Sequence, residues 1–422
     1  MKAVHSIHWS WFCLAVSVLP LAPACAPPTD ALTVPPPPEG TVLPILSDIG
    51  LIVDARINGH DTRVMLDTGT VLTSLASPSA IERLGLEAGG ANPVAGAEED
   101  MGVGVCGAAP VVLDETRYIA RRLELGNVVF ENVGLTVMHE TGYDTFAENG
   151  VDLFLAAQLL MDTDWRIEAG GHRLVLLPLN SRARPAEAMD LRVVGPTVVP
   201  FSDLKVGVMS LAVSYGGAEP RDTLIDTGGS AFLAMGSEAA GQAGWDAAAL
   251  PHVSTEVTAA GATCNQTLFR APGITLGGHT YQRPLALDVG DGGPLALVGW
   301  YFITAHESVY VAPGGGWIEF TRNATTDALV AEPLRSFGLG IVSNGAGGYV
   351  VNGVLEGFSA AEQGVRAGDV VLQVNGVSVD TVEGKSLLFG PAPLRAGQAD
   401  FLIQDAAGGQ RTVTLTARVM LE

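Results

Sequence analysis

The tripeptide Asp-Thr-Gly occurs twice, at Asp67-Thr68-Gly69 and Asp226-Thr227-Gly228, 159 residues apart (226 − 67), and both copies end the same kind of pattern. Before the first, alternating apolar residues from Gly50 to Leu66 flank Asn58-Gly59, the dipeptide best suited to the positive-φ positions of a two-residue hairpin turn. Before the second, Val206 to Val213 alternates, Gly216-Gly217 can turn, and Thr223-Leu224-Ile225 runs into Asp226. Each pattern predicts two antiparallel strands that deliver an aspartate to a tight turn. The correspondence continues with Leu123-Glu124-Leu125-Gly126 against Ile274-Thr275-Leu276-Gly277, then Leu153-Phe154-Leu155-Ala156 against Ala296-Leu297-Val298-Gly299. A repeat of this length fits a lobe of ordinary domain size. The polar, Pro-containing stretch Asn180 to Ala188 is expected to join the two lobes, giving lobes at 45–182 and 190–324.

One Asp-Thr-Gly suits any tight turn, but two copies on matching hairpins, each followed by an apolar run (Val71-Leu72 and Ala231-Phe232-Leu233), place two carboxylates in equivalent settings. Carboxylates held close together cannot both ionise cheaply, so their proton affinities split and one serves as base while the other serves as acid. Hydrolysis of a peptide bond needs an activated water and a proton donor, and two carboxylates sharing one proton provide both. Gly69 and Gly228 permit an approach that a Cβ would block. The hydroxyls of Thr68 and Thr227 are expected to lock the two turns together, and that of Thr70 to bond one carboxylate.

At these residues the chain resembles the pepsin-like and retropepsin-like aspartic peptidases, over about residues 45 to 322, including the hydrophobic-hydrophobic-glycine element at Leu297-Val298-Gly299-Trp300. The resemblance implies a mostly-β, bilobal fold with a cleft between the lobes and flaps above it, placed at 98–118 and 254–269. It further implies Asp67 and Asp226 as the catalytic dyad, water attack without a covalent intermediate, no metal or other cofactor, polypeptide substrates, and a monomer, since one chain holds both lobes. Two positions depart from the family pattern. Ala156 stands where glycine is expected and could shift the turn behind Asp67; Gly229 stands where a hydroxyl residue often supports the aspartate. Both departures favour the rival reading, a non-catalytic peptide-binding protein on the same scaffold, whereas retention of two costly adjacent carboxylates favours catalysis. Cys106 follows Asp67 by 39 residues (106 − 67) and Cys264 follows Asp226 by 38 (264 − 226), so both fall in flap-like regions. A disulfide between them would tie the lobes across the cleft; two buried free thiols are the alternative.

From about Leu334 the composition changes, and Gly338-Leu339-Gly340-Ile341 with the run Ser359 to Gly376 resembles PDZ domains, including those attached to bacterial envelope peptidases. The resemblance implies a PDZ-like α+β domain at 332–422. There the backbone N–H groups around Leu339, Gly340 and Ile341 would face a peptide's C-terminal carboxylate while the peptide adds a strand to the sheet edge, and Arg335 adds positive charge. A module that only packs or spaces is the other reading.

At the other end, Lys2, an apolar stretch from Trp9 to Leu21 and Ala22-Pro23-Ala24-Cys25 resemble an export signal over 1–24. Cleavage at the A-x-A site and lipidation of Cys25 are both open. Either places the protein in the periplasm or cell envelope, lipid-anchored in the second case. Residues 25–44, rich in proline, read as an extended tether. A net charge of −22 with no basic stripe excludes nucleic-acid binding. Several other motifs carry no chemistry. Gly384-Lys385-Ser386 has Val379 where a phosphate loop needs glycine, so Lys385 reads as a loop lysine. Ser359 lacks the closing glycine of a nucleophile elbow and reads as a helix cap, and Asp162 and Asp164 read as a solvated turn.

Overall fold

The computed structural model describes residues 31–70, 74–92, 112–139, 146, 149–194, 208–247, 249–259, 262–288, 296–343 and 348–422. Strand accounts for 49% and helix for 15%, the mostly-β class that the short alternating runs predict. The first hairpin forms as its sequence dictates. Ile52–Ile57 pairs antiparallel with His60–Asp67 from Ile52↔Met65 to Ile57↔His60, and the turn residues Asn58 and Gly59 take φ of 50° and 88°. Ile52, Val53, Ala55 and Ile57 point into the core while Asp54 and Arg56 face out, so a slip of one residue would expose the buried set. The first lobe is an eight-stranded sheet in the order Ala31–Val34, Val128–His139, Ser74–Ala76, Leu153–Ala156, His60–Asp67, Ile52–Ile57, Val112–Leu125, Glu87–Ala91.

The second lobe repeats the arrangement. Val208–Tyr215 and Arg221–Ile225 form the hairpin, with Gly216 and Gly217 at positive φ in the turn. In each lobe the strand leading to Asp-Thr-Gly has an antiparallel hairpin partner on one side and a parallel partner on the other: Leu153–Ala156 beside His60–Asp67, and Ala296–Val298 beside Arg221–Ile225. Gly126 and Gly277, corresponding positions in the repeat, both turn the chain with positive φ.

The lobes are not separate bodies. Met189–Val194 pairs with both Val208–Tyr215 and Trp317–Thr321, and the sheet then continues through Ser308–Ala312, Asp164–Glu168, Arg173–Leu177 and Thr41–Pro44. The last three strands come from the first half of the chain. Trp165, Ile167, Leu174 and Leu176 consequently share one apolar cluster with Val309, Val311 and Ile318. Two expectations are corrected by these sheets. The segment 25–44 is not wholly a tether: the strands Ala31–Val34 and Thr41–Pro44, on either side of the proline run 35–38, pair with Val128–His139 and Arg173–Leu177. Asp164 is not in a solvated turn but fully buried, its Oδ2 accepting from the Ser181 amide (2.9 Å) and the Tyr310 hydroxyl (3.0 Å).

The C-terminal module has its own core, built on Phe337, Val351, Val371, Phe401 and Leu415, and its own sheet in the order Leu339–Ser343, Tyr349–Val354, Val370–Val374, Gln398–Gln404, Gln410–Thr416. Helices Ser359–Glu362, Val382–Phe389 and Ala392–Ala396 cover it. Ser359 does not cap its helix, for Phe358 holds that position; its hydroxyl accepts from the Thr416 amide instead. Lys385 lies not in a loop but on the second helix, buried against the first lobe. The module is joined to the lobes by the strand pair Leu334–Ser336 and Arg418–Leu421, whose Leu334 and Leu421 enter the lobes' own core. An Arg395–Glu332 ion pair with two-pronged contacts adds to this seam.

Candidate active site

Both Asp-Thr-Gly turns lie at the meeting of the lobes, and each is held by the other. The Thr68 amide donates to the Thr227 hydroxyl (3.1 Å) and the Thr227 amide to the Thr68 hydroxyl (3.0 Å). The two hydroxyls then donate across to the opposite hairpins, Thr68 to the Ile225 carbonyl (2.7 Å) and Thr227 to the Leu66 carbonyl (2.5 Å). The sequence suggests only that hydroxyls lock the turns; here both amides and both hydroxyls are used, reciprocally.

The glycines pack crosswise. A Cβ on Gly69 would lie 2.7 Å from the Asp226 Cγ, and one on Gly228 would lie 2.5 Å from the Asp67 Cγ. No positive φ is involved at either; the glycines are required because each turn backs directly onto the opposite carboxyl. The two carboxyls are themselves hydrogen-bonded to one another.

Their surroundings differ. Asp67 accepts from the Gly69 amide (2.8 Å) and the Thr70 amide (3.3 Å) on Oδ1 and from the Thr70 hydroxyl (2.7 Å) on Oδ2. Asp226 accepts from the amides of Gly228 (2.9 Å) and Gly229 (2.8 Å), both on Oδ1. Burial pushes both carboxyls up from the ordinary aspartate range. At Asp67 the Thr70 hydroxyl and the Gly69 amide oppose that rise; at Asp226 the charge of Asp67 adds to it, while the Gly229 and Gly228 amides oppose it. The Thr70 hydroxyl thus favours the negative charge on Asp67, and that charge disfavours a second one on Asp226.

The two family departures are accommodated. Ala156 keeps the register behind the first aspartate, with Val64↔Leu153 through Asp67↔Ala156, and its amide donates to the Ser74 hydroxyl (3.0 Å). The turn behind Asp67 is not displaced. In the second lobe a Cβ on Gly299 would come within 2.4 Å of the Gly229 carbonyl, so glycine is needed there and not at Ala156. A Cβ on Gly229 would sit 2.5 Å from the Asp226 Oδ2, which leaves no room for a hydroxyl side chain. Ser74, absent from the sequence reading, is the supporting residue it missed; nothing local marks it, because its partner lies 82 residues away.

The remaining sequence-predicted sites divide into two groups. Leu339, Gly340 and Ile341 lie on Leu339–Ser343, the edge strand of the C-terminal sheet, and Leu339 and Ile341 line an apolar groove with Phe337, Leu387, Leu388 and Phe401. Arg335 also lines that groove. Cys25, Cys106, the Cys264 side chain and the first flap at 98–111 fall outside the described residues. The segment expected as the second flap, 254–269, lies within the hairpin of His252–Ala259 and Ala262–Arg270.

A bilobal β fold with paired, cross-braced aspartates is that of an aspartic protease-like protein, here followed by a PDZ domain. Residues 53–152 match the family described as aspartyl protease, and residues 328–386 match the PDZ domain family. Among solved structures, a retropepsin-like aspartic protease from Rickettsia conorii is 15% identical, with a TM-score of 0.22, and covers 32% of this chain and 88% of its own. The HtrA-type protease AlgW, solved with a decapeptide, is 15% identical, with a TM-score of 0.22, and covers 57% of this chain and 97% of its own. Comparison with curated proteins gives no match.

Proposed function

We propose that the protein is an aspartic endopeptidase in which Asp67 and Asp226 hydrolyse peptide bonds in polypeptide substrates, with a PDZ domain that binds peptides. The observation that carries this reading is the unequal pair of buried carboxyls. Asp67, held by three donors, is set to take a proton from the attacking water, and Asp226, protonated beside it, to give one to the substrate. After the first transfer the roles exchange, as one shared proton permits. Such a pair works in its singly protonated form, so activity is expected to be favoured at acid to mildly acidic pH.

At the PDZ groove the edge strand Leu339–Ser343 offers main-chain pairing to an extended peptide, and the apolar lining suits an apolar last side chain. Peptides with a free C-terminal carboxylate are expected to bind and their amides to bind less tightly; equal binding would exclude carboxylate capture. Residues 1–24 we read as an export signal, leading to the periplasm or cell envelope with Cys25 as a lipid-attachment residue. The mass of the mature protein tests both. A single copy is expected to act alone, because both aspartates are in one chain.

The decisive experiment is digestion of a diverse peptide library between about pH 3 and 8, read by mass spectrometry, with Asp67→Asn and Asp226→Asn alongside. Cuts that vanish in both variants support the dyad. A folded wild type that cuts nothing at any pH would leave the non-catalytic peptide-binding protein as the better reading.

A further inference from the structure

The helix that walls the PDZ groove has a second face, and that face grips both peptidase lobes. Leu387 and Leu388 of Val382–Phe389 line the groove opposite Leu339 and Ile341. Val382, Lys385 and Ser386, at helical spacing on another side, are buried against the lobes. Three anchors are visible. Gly150 of the first lobe fits under the helix so closely that a Cβ there would lie 2.9 Å from Val382 Cγ2 and 3.5 Å from Lys385 Nζ. The Asp48 amide donates to the Ser386 hydroxyl (2.8 Å). In the second lobe the Tyr301 hydroxyl donates to the Phe389 carbonyl (3.3 Å).

Each anchor is a few residues from backbone bonded to a dyad turn. Gly150 leads into Leu153–Ala156, the strand that pairs in parallel with His60–Asp67 up to Asp67↔Ala156. Asp48 leads to Leu51, whose amide donates to the Thr227 carbonyl (3.0 Å) and whose carbonyl accepts from Leu66 (2.9 Å), so this short segment touches both hairpin ends. Tyr301 follows Trp300, whose amide donates to the Gly229 carbonyl (2.7 Å), and its own amide donates to the Ala231 carbonyl (3.0 Å). One eight-residue helix thus borders the peptide groove and, through its other face, the supports of both aspartates.

We infer that peptide occupancy of the PDZ groove and ligand binding at the dyad are thermodynamically coupled through helix Val382–Phe389. This rests on the peptidase reading above and adds a regulatory input to it. A peptide lying between the edge strand and this helix sets the helix position, and a shift of the helix would be passed to Asp48, Gly150 and Tyr301 through the contacts above. Coupling between two sites is reciprocal: whatever factor a groove peptide applies to affinity at the dyad, a dyad ligand must apply to the peptide.

The test uses the mature protein and two probes. One is a peptide bearing a hydroxyethylene isostere, which mimics the tetrahedral intermediate at the dyad; the other is a pool of fluorescent decapeptides ending in Val, Leu or Phe. We expect a saturating pool to change the isostere Kd by about fivefold or more, and saturating isostere to change the pool Kd by the same factor. In the Ser386→Ala/Tyr301→Phe double variant both probes should still bind, with the factor falling to about one. Two probes that bind the wild type independently would overturn the coupling, as would a factor that survives in the double variant or a pool that does not bind. Failure of the isostere to bind a protein that still binds the pool would instead sink the peptidase reading, and the coupling with it.

Discussion

Replacing Thr70 by valine removes one hydroxyl from the dyad and little else. The residue is buried, its hydroxyl donates to Asp67 Oδ2 at 2.7 Å, and valine keeps its shape. A hydrogen bond to a charged group is worth about 1.5–3 kcal/mol, and one pKa unit corresponds to about 1.4 kcal/mol. Losing the bond destabilises the ionised form of Asp67, so the ionisation that charges it should rise by about one to two units. That ionisation converts the doubly protonated dyad to the working singly protonated one and sets the acid limb of the kcat/KM profile. The alkaline limb reports loss of the second proton, from Asp226. Asp67 is charged both before and after that step, so the missing bond weakens both states alike. In Thr70→Val the acid limb should therefore move to higher pH by about one to two units while the alkaline limb stays within a few tenths of its original position. Rate measurements across the full pH range on a good peptide substrate decide it. Limbs that move together, or an alkaline limb that moves alone, would refute the assignment of the charge to Asp67 and the proton to Asp226.

In Gly228→Ala the new Cβ would stand 2.5 Å from the Asp67 Cγ, and displacement of a reacting group by even an ångström costs about 100-fold; kcat/KM at the optimum should fall by at least that much, and a milder loss would show that the turns can separate. Thr227→Val removes the acceptor of the Thr68 amide and the donor to the Leu66 carbonyl, both buried, so urea unfolding should show a loss of about 2–4 kcal/mol. His306 is buried, with Nε2 against the Tyr281 hydroxyl at 2.7 Å, and burial lowers its pKa to about 4 from the ordinary 6.5. The unfolded chain therefore binds a proton first as the pH falls, and roughly 3 kcal/mol of stability is lost between pH 6.5 and 4. His306→Gln, which keeps an acceptor for Tyr281, should flatten that part of the Tm profile; an unchanged slope would exclude His306 as its source. Asp226 acts in the opposite sense, because its raised pKa makes the folded state hold a proton that the unfolded chain has released near neutrality. Asp226→Asn should accordingly raise Tm at neutral pH more than in acid.

What the sequence shows and what it hides divide by distance along the chain. The hairpins were legible because their turns are local: Asn58-Gly59 can be read for positive φ without knowing any partner strand. The pairing of the aspartates was legible for a different reason, namely that two identical turns in equivalent settings imply a symmetric meeting. The cross-bonding of Thr68 and Thr227 follows from that symmetry, although no single residue declares it. Ser74 could not be seen, since its role depends on the Ala156 amide in a strand that returns only after a long excursion. Thr41–Pro44 is hidden by the proline run before it, whose composition resembles a tether, while its partner Arg173–Leu177 lies far downstream. Lys385 and Ser386 likewise suggest an exposed segment until the docking of the C-terminal module buries them.

The sheet shared by the lobes imposes an order on how the chain is assembled during synthesis. Asp164–Glu168 finds one of its two neighbours, Arg173–Leu177, at once, but the other, Ser308–Ala312, is made 140 or more residues later (Glu168↔Ser308, 308 − 168). Until then its outer edge offers unpaired amides and carbonyls beside Trp165, a template for pairing with the wrong strand. The N-terminal half, though it holds a complete Asp-Thr-Gly hairpin, is thus a poor candidate for expression alone: a fragment ending near residue 182 would carry that open edge permanently. The same geometry makes a proteolytic nick between the lobes less damaging than a truncation, because strands already paired would remain so after the connecting chain is cut.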